Sequence, residues 1–387
     1  DVLSAFYMVQ NKSCRILEIC PFSAGICGIW QRVISESKEF TKLGYEVRVF
    51  SSDIEKGTGR RVVSNEEIDG IKIERFKCKR RFLTSLVSSN VKYWFGAAAI
   101  KSLEKYNPQI IITHLLHPHS AKISKLTNKL KKKNLNSNFF IVPHAPFNIK
   151  RGFILDILTS IWQNVRAVKL NNFDRVIAIT AWERPYLLKS GIQEDKIVYI
   201  PNGLPDEFFT QKMAKSSKDV LFLGRISPVK HLETLINAAK SLPNINFTIV
   251  GAAEDEYMKK IKNMIKLLEI KNIEICPPVY NLREKIRLID RYKLFVLPSK
   301  REAMPQVLIE AMARGKVVIS SKTDGGKEII KDNVNGFLFE IGDYKGLASI
   351  ISKNIFGRDK IQKRAMEDAK KYSWKKLIKR YLSLFNR

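Results

Sequence analysis

Acidic residues are scarce in this chain. Its 387 residues hold 38 Asp and Glu against 68 Lys and Arg, a net charge of +30. Such an excess implies an anionic partner: nucleic acid, a negatively charged membrane surface, or phosphorylated substrates. Lysine enrichment across a whole lineage is the other origin of such a balance. Cysteine is also rare. Cys14, Cys20, Cys27, Cys78 and Cys276 have neither close-pair metal spacing nor the pattern of a disulfide framework, so a reducing cytosol is expected. The histidines form no i, i+4 ligand pair, and "HLLHPHS" (114–120) is interrupted by Pro118. No apolar run approaches the roughly 18 residues of a membrane span, and no signal-peptide pattern opens the chain. Met8 followed by "VQNKS" reads as a natural start, which makes residues 1–7 a disordered leader. No recognition helix, zinc finger or aromatic ribonucleoprotein motif is present, so nucleic acid is not the expected partner despite the charge.

What the chain does have is alternation. Short β-branched runs are separated by amphipathic stretches: "RILEI" (15–19), a glycine-containing loop, a helix to Leu43 stopped by Gly44, then "EVRVFS". "GIKIERFK" is a further strand with hairpin character, and "QIIITH" (109–114), "FFIVPH" (139–144) and "RVIAIT" (175–180) read as buried strands. Strands spaced by helices imply parallel sheets with right-handed crossovers. "IVYIPNGLPDEFF" (197–209), punctuated by Pro and Asn-Gly, reads as a boundary. The alternation then restarts with "DVLFLG" (219–224), a helix from Lys230, "NFTIVG", "IEIC", "LFVLPS" (294–299), a helix over 305–314, "VVISS" and "GFLFE". The expected fold is α/β, with two Rossmann-like doubly wound domains facing a cleft. Ligands of such sheets bind beyond the carboxyl ends of the strands.

Several short motifs sit at those ends. "FLGRISPVKH" (222–231) places Arg225 and Lys230 between a strand and a helix start, where a fork and a point charge suit a diphosphate. "PFSAGICGIWQRV" (21–33) is a glycine loop in which Gly25 and Gly28 permit close backbone approach to a phosphate or sugar. "VPHAP" (142–146) puts His144 at a strand end, with His114, His117 and His119 near the same sheet edge. "REAMPQVLIEAMARGK" (301–316) carries Glu302 in a loop and Glu310 within a helix ended by Gly315. A carboxylate so placed on a helix can accept both hydroxyls of a ribose. The amides of Met304, Gln306 and Val307 offer donors to phosphate oxygens at the helix start, and Pro305 fits its first turn.

Taken together, Arg225 to Lys230, Glu302-x7-Glu310, the preceding "PS" and the following "EAMARGKVVISS" resemble the retaining glycosyltransferases of family 4, or group 1, which have the GT-B fold. "YIPNG", "DGGKEII", "NGFLFE" and "YSW" (372–374) follow in family order, so the resemblance covers nearly the whole chain. It implies an acceptor-binding domain over 8–204, a nucleotide-sugar-binding domain over 205–372, and a final helix (373–387) that crosses back to the first. It implies a nucleotide-sugar co-substrate, UDP- or GDP-linked, with no other cofactor and no metal; no Asp-x-Asp pair is present. Arg225 and Lys230 correspond to the diphosphate ligands, Glu310 to the ribose ligand and Glu302 to the sugar contact. Gly25 and Gly28 fall on the first loop, and His144 lies near the reacting sugar. The chain departs from the family in having His231 and Ala303 where glycine is usual, and Cys27 before Gly28.

The implied acceptor is a glycan or a lipid-linked molecule, reached from the cytoplasmic side. Two basic amphipathic stretches, "KCKRRFLTSLVSSNVKYWFG" (77–96) and "IKRGFILDILTSIWQNVRAVK" (149–169), have a pattern that fits either an anionic membrane surface as a further partner or helices packed on the sheet. The first of these sets Trp94 and Phe95 on its apolar face.

Overall fold

The computed structural model of the protein describes residues 14–23, 28–55, 60–78, 94–116, 120, 122–127, 137–144, 170–212, 215–356 and 358–385. The chain forms two compact units, Asp1–Gly203 with Leu377–Arg387, and Leu204–Lys376. The leader reading (1–7), Gly25, Cys27, His117, His119 and the stretch 149–169 fall outside the described residues.

The first unit is built on an eight-stranded sheet of order β3-β4-β2-β1-β5-β6-β7-β8. Its strands are β1 (Arg15–Cys20), β2 (Glu46–Ser52), β3 (Asn65–Ile68), β4 (Ile71–Phe76), β5 (Ile110–His114), β6 (Asn138–Val142), β7 (Arg175–Ala178) and β8 (Ile197–Tyr199). All described pairings are parallel except β3 with β4. That pair is a hairpin, closed by Asp69 and Gly70 with φ of 52° and 79°. Two successive left-handed residues match the twist of an antiparallel pair. β8 corrects one expectation: part of the segment read as a boundary is a strand, because Ile197–Tyr199 still has β7 to pair with. Strands buried on both faces read as continuous apolar runs, and after its half-buried Arg15, β1 is such a strand with one exception, the fully buried Glu18. The helix after it, α1 (Gly28–Lys42), buries Trp30, Val33 and Phe40, but also Arg32 and Glu36.

Trp94 and Phe95 require a second correction. They lie just before helix α2 (Ala97–Tyr106) and belong to the core of this unit, 4% and 2% exposed. Trp94 stacks on Phe76 with ring centroids 6.1 Å apart. An amphipathic pattern records that one face is apolar, not what covers it. Here sheet and aromatic rings cover it, and no lipid can reach these two residues.

The second unit carries a six-stranded parallel sheet of order β11-β10-β9-β12-β13-β14. Its strands are β9 (Lys218–Leu223), β10 (Phe247–Val250), β11 (Ile273–Cys276), β12 (Tyr292–Leu297), β13 (Val317–Ser321) and β14 (Phe337–Phe339). The helices that matter for function are α3 (Leu232–Lys240), α4 (Leu282–Asp290), α5 (Gln306–Ala313) and α6 (Asp324–Ile329). The expected helix start at Lys230 moves. Pro228–Lys230 is a single 3-10 turn, His231 takes φ 48° and ψ 51°, and α3 begins after it. A left-handed residue interrupts helical hydrogen bonding, so His231 separates turn from helix. This is the position where the family usually has glycine.

In each sheet the strand order reverses at one point: between β1 and β5 in the first, between β9 and β12 in the second. At such a point the loops leave on opposite faces and open a crevice beyond the carboxyl ends of the strands. No described helix is long and apolar enough to cross a membrane.

Candidate active site

In the second unit the crevice at the reversal brings together the loop after β9 and the loop after β12. Lys300 N–H donates to the Val229 carbonyl at 2.9 Å, tying one loop to the other. Lys230 Nζ then reaches Glu302 Oε1 at 2.6 Å. The same oxygen accepts from Ser299 Oγ at 2.6 Å. Both charged side chains are largely shielded, 16% and 12% exposed, so the pair is stronger than a solvated one. The backbone of Glu302 is also held, because its carbonyl accepts from Gly325 N–H at 3.0 Å. That contact needs glycine: a Cβ on Gly325 would lie 2.5 Å from the Ala303 carbonyl oxygen. "DGGKEII" is thus legible as a close approach of α6 to the loop that carries Glu302. A second close approach marks the ends of β9 and β10, where a Cβ on Gly251 would meet the Gly224 carbonyl oxygen at 1.8 Å.

Glu310 sits on α5, one turn in and 5% exposed. Its Oε1 accepts from Lys285 Nζ at 2.6 Å, and its Oε2 is buried without a hydrogen-bond partner. Lys285 comes from α4, whose start is capped by the Asn281 side chain accepting from the Arg283 and Glu284 amides. Arg225 stands apart from both pairs. It is about half exposed and lies 3.2 Å from Glu254. Pro305 precedes α5, Gln306 and Val307 open it, and Met304 is buried.

The first unit has a different chemistry at its reversal point. His114 ends β5 and His144 follows β6. His144 holds φ 61°, a region that non-glycine residues rarely occupy. His144 Nε2 lies 2.9 Å from His114 Nδ1, and His114 Nε2 lies 2.7 Å from Glu18 Oε2. Glu36 Oε1 is 3.3 Å from the same His114 nitrogen. Glu36 Oε2 accepts from Arg32 Nε at 3.2 Å and from the Tyr381 hydroxyl at 2.9 Å. Arg32 donates in turn to Tyr381 Oη, Asn202 Oδ1 and the Ile200 carbonyl. Glu18, His114, Arg32 and Glu36 are all fully buried. Burial pushes the Glu18 carboxyl well above the usual carboxylate range, and the neighbouring Glu36 adds to this. Burial pushes His114 well down, helped by His144 and Arg32. Burial also raises Glu36, but Arg32 and Tyr381 oppose it.

Glu18, Glu36 and His114 offer three ligand atoms within 4.8 Å of one another. Arg32 already supplies positive charge to these carboxylates, while Glu18 Oε1 and Glu36 Oε1 are buried without a hydrogen bond. Sequence reasoning named His114 and His144 but missed Glu18, Arg32, Glu36 and Tyr381. The signal was present: "RILEIC" has a Glu in the interior of an apolar strand, and Arg32 and Glu36 fall at i, i+4 among the buried positions of α1. Gly28, at the start of α1, is exposed. Lys285 was also missed, and nothing local in the sequence marks it; Ser299 is the serine of the "PS" before Glu302, a motif to which no contact was assigned.

The model of the family described as Glycosyl transferases group 1 matches residues 205–372, and that of Glycosyltransferase Family 4 matches 26–208. An uncharacterized glycosyltransferase of Methanocaldococcus jannaschii is 26% identical over 310 residues, covering 73% of this chain and 87% of the relative. A lipopolysaccharide 1,2-N-acetylglucosaminetransferase of Salmonella typhimurium is 30% identical over 210 residues, covering 47% and 54%. Among solved structures, Anabaena HepE in complex with UDP and glucose superimposes with a TM-score of 0.72 at 17% identity, covering 96% of this chain and 99% of HepE. At that identity the likeness is one of fold.

Proposed function

The chain belongs to the glycosyltransferases, with a family 4 region followed by a group 1 region, and from this premise we propose that it moves a hexose-type sugar from a UDP- or GDP-linked donor to a hydroxyl of a glycan or lipid-linked acceptor. In this reading the anomeric configuration is retained and no metal takes part. The observation that carries it is the Lys230–Glu302–Ser299 cluster at the reversal point of the second sheet. Lys230 is already paired with an anion there. An arriving diphosphate exchanges one anionic partner for another, so little desolvation is added.

The bond that breaks joins the anomeric carbon to the β-phosphate oxygen of the donor. Lys230 and Arg225 stabilise the charge that collects on the leaving diphosphate. The acceptor oxygen forms its bond on the same face, and its proton passes to the leaving phosphate. Glu302, released from Lys230, accepts from hydroxyls of the donor sugar. Glu310 accepts from the ribose hydroxyls through Oε2, while Lys285 keeps Oε1. Gly25 and Gly28 border the diphosphate, the Met304, Gln306 and Val307 segment borders its oxygens, and His144 meets the reacting sugar. The UDP and glucose held by HepE favour a uridine donor, and the Salmonella relative's name favours a glycan acceptor.

A thermal-shift screen across UDP-, GDP- and ADP-sugars tests the donor. One at a hundred times its dissociation constant should stabilise the protein by about 2.7 kcal/mol. In Glu310→Ala the same nucleotide should bind about 10- to 150-fold more weakly by calorimetry, the equivalent of roughly 1.5–3 kcal/mol for lost charged hydrogen bonds. No shift with any sugar nucleotide would overturn the reading, and unchanged affinity in the variant would remove Glu310 from the ribose.

The acceptor's presentation at an anionic membrane surface now rests on the net charge of +30 and on residues 149–169 as sequence. Flotation with anionic but not neutral vesicles is expected, with release at 1 M salt, where the Debye length is about 3 Å. Absence of flotation with anionic vesicles at low salt would leave the charge to soluble phosphorylated substrates.

A further inference from the structure

The helix Asp255–Leu267 lies beside β11, the edge strand of the second sheet, and turns Tyr257 and Ile261 inward. Tyr257, Met258, Ile261, Met264, Ile265 and Leu268 recur at helical spacing, so they share one face. Leu267 falls outside that face and is 83% exposed. The chain leaves the helix through Glu269, whose φ is 52°. Glu269 N–H donates to the Lys266 carbonyl and Ile270 N–H to the Ile265 carbonyl, both at 3.1 Å. This is the pairing of a Schellman turn, which folds the chain back on the last helical turn. Ile270 is thereby returned to Ile265, and the two line an open cavity of about 330 Å³ with Ile273 and Ile275 of β11. All four isoleucines are half-buried.

Charge around this cavity is one-sided. Earlier in the helix Lys259 pairs with Glu256, and Lys260 with Glu233. Lys262, Lys266 and Lys271 also line the cavity; they are exposed and form no ion pair among the described residues. Glu269 is the one acid in the lining. An occupant must therefore be anionic and must offer apolar contact. A second copy of this chain brings a net charge of +30 to the same lysines, which opposes association. Protein partners are held by aromatic anchors and forked donors at fixed positions, and the lining has neither. Ammonium groups on flexible stems suit headgroups whose positions are not fixed. Aliphatic side chains set among lysines are the pattern of a segment that lies in a membrane interface.

We propose that this corner of the second unit docks on an anionic membrane surface, with Leu267 entering the headgroup layer and Lys262, Lys266 and Lys271 pairing with lipid phosphates. The contact uses side chains of one unit alone. It supplies a surface for the membrane-presented acceptor and rests on that reading, but not on the transfer chemistry. Glu269 opposes the contact, because its carboxylate stands among the three lysines.

The test is binding of the full chain to vesicles of phosphatidylcholine with phosphatidylglycerol, measured by flotation across a lipid titration. Lys262→Ala, Lys266→Ala and Lys271→Ala combined should weaken binding on the order of 100-fold, about 5-fold for each basic charge. Leu267→Ser should lose about 10-fold. Glu269→Asn keeps a residue that tolerates left-handed backbone and should gain about 5-fold, which damage to the fold would not produce. These positions are exposed, so the weakened variants should melt with the wild type. Leu267→Trp reads the contact directly. Its fluorescence, after subtraction of the wild-type spectrum, should shift to the blue on vesicles and be quenched by brominated lipid. Phe356→Ser is the control. Phe356 is 95% exposed, but it follows the helix Tyr344–Asn354, which packs on β13 and β14 at the other edge of the sheet. Its binding should equal that of the wild type. Wild-type binding that the lysine and Leu267 variants leave unchanged overturns this inference while the membrane reading stands. No wild-type binding overturns both and leaves the cavity to an acidic protein. Loss in the lysine variant with no response at Leu267 also overturns it, because a charge patch for a soluble polyanion behaves in that way.

Discussion

Lys230→Ala is expected to lower kcat by 10²- to 10³-fold, the effect of removing one preorganised group from a developing charge. The ammonium is shielded, and two loops joined by the Lys300–Val229 hydrogen bond hold it in place. It therefore needs little reorganisation when the diphosphate leaves, and because it also pairs with the diphosphate on arrival, kcat/KM should fall by at least as much as kcat. The fold should tolerate the change, because Glu302 keeps the Ser299 hydroxyl and the side chain can reach water. Arg225→Ala should have a smaller effect, because that guanidinium is about half exposed and its pairing with Glu254 is weakened by solvent. Steady-state kinetics at matched concentrations of folded protein measure both. Activity lost only in proportion to folded protein would remove Lys230 from the reaction, and equal losses in the two variants would refute the ranking.

The largest expected effect on stability is Arg314→Ala, a loss of about 3–5 kcal/mol. Arg314 follows α5 directly, and its guanidinium bonds both oxygens of Asp290 at 2.8 Å. It also donates to the Phe208 and Gln211 carbonyls, so one side chain ties α4, α5 and the start of the second unit together. Both charges are about 1% exposed. Truncation leaves the Asp290 carboxylate buried without its counter-ion, which costs more than the pair gained by forming. Lys316 cannot take over in place. Burial lowers its pKa to about 8, and its ammonium is committed to Ser216 Oγ and the Asp290 carbonyl. Thermal unfolding should move down by on the order of 10 °C. A loss under about 1 kcal/mol would show that the carboxylate is protonated or hydrated once freed, and would end the argument.

Much of the fold was open to the sequence, for a local reason. Apolar runs at strand length, the glycines Gly44 and Gly315 that stop two of the helices, and the Pro and Asn-Gly punctuation each act over a few residues. The alternation of runs and helices therefore identified two parallel sheets, and Glu302 and Glu310 were correctly read as loop and helix residues from "REAMPQVLIEAMARGK" alone. Where the local pattern has two physical meanings, the reading failed. The apolar face carrying Trp94 and Phe95 fits a lipid surface and a protein core equally well, and only the packing of Phe76 against Trp94 decides for the core. The start of α3 failed for a related reason, because His231 gives no sign in its side chain of a left-handed backbone.

The charge pairs belong to the tertiary structure. Lys230 with Glu302, Lys285 with Glu310, and Glu18 with His114 and His144 join residues far apart in the chain. Each meeting depends on strand order: β9 beside β12 brings the first pair together, and β1 beside β5 the last group. The sequence alone determined which residue types were available: an Arg-x4-Lys, two glutamates, a histidine at a strand end, and one unexplained Glu in an apolar strand. Which of them meet was decided by the order in which the strands pair. A charge in a sequence has no partner until the sheet sets its neighbours, and in a buried site the neighbours determine the charge itself.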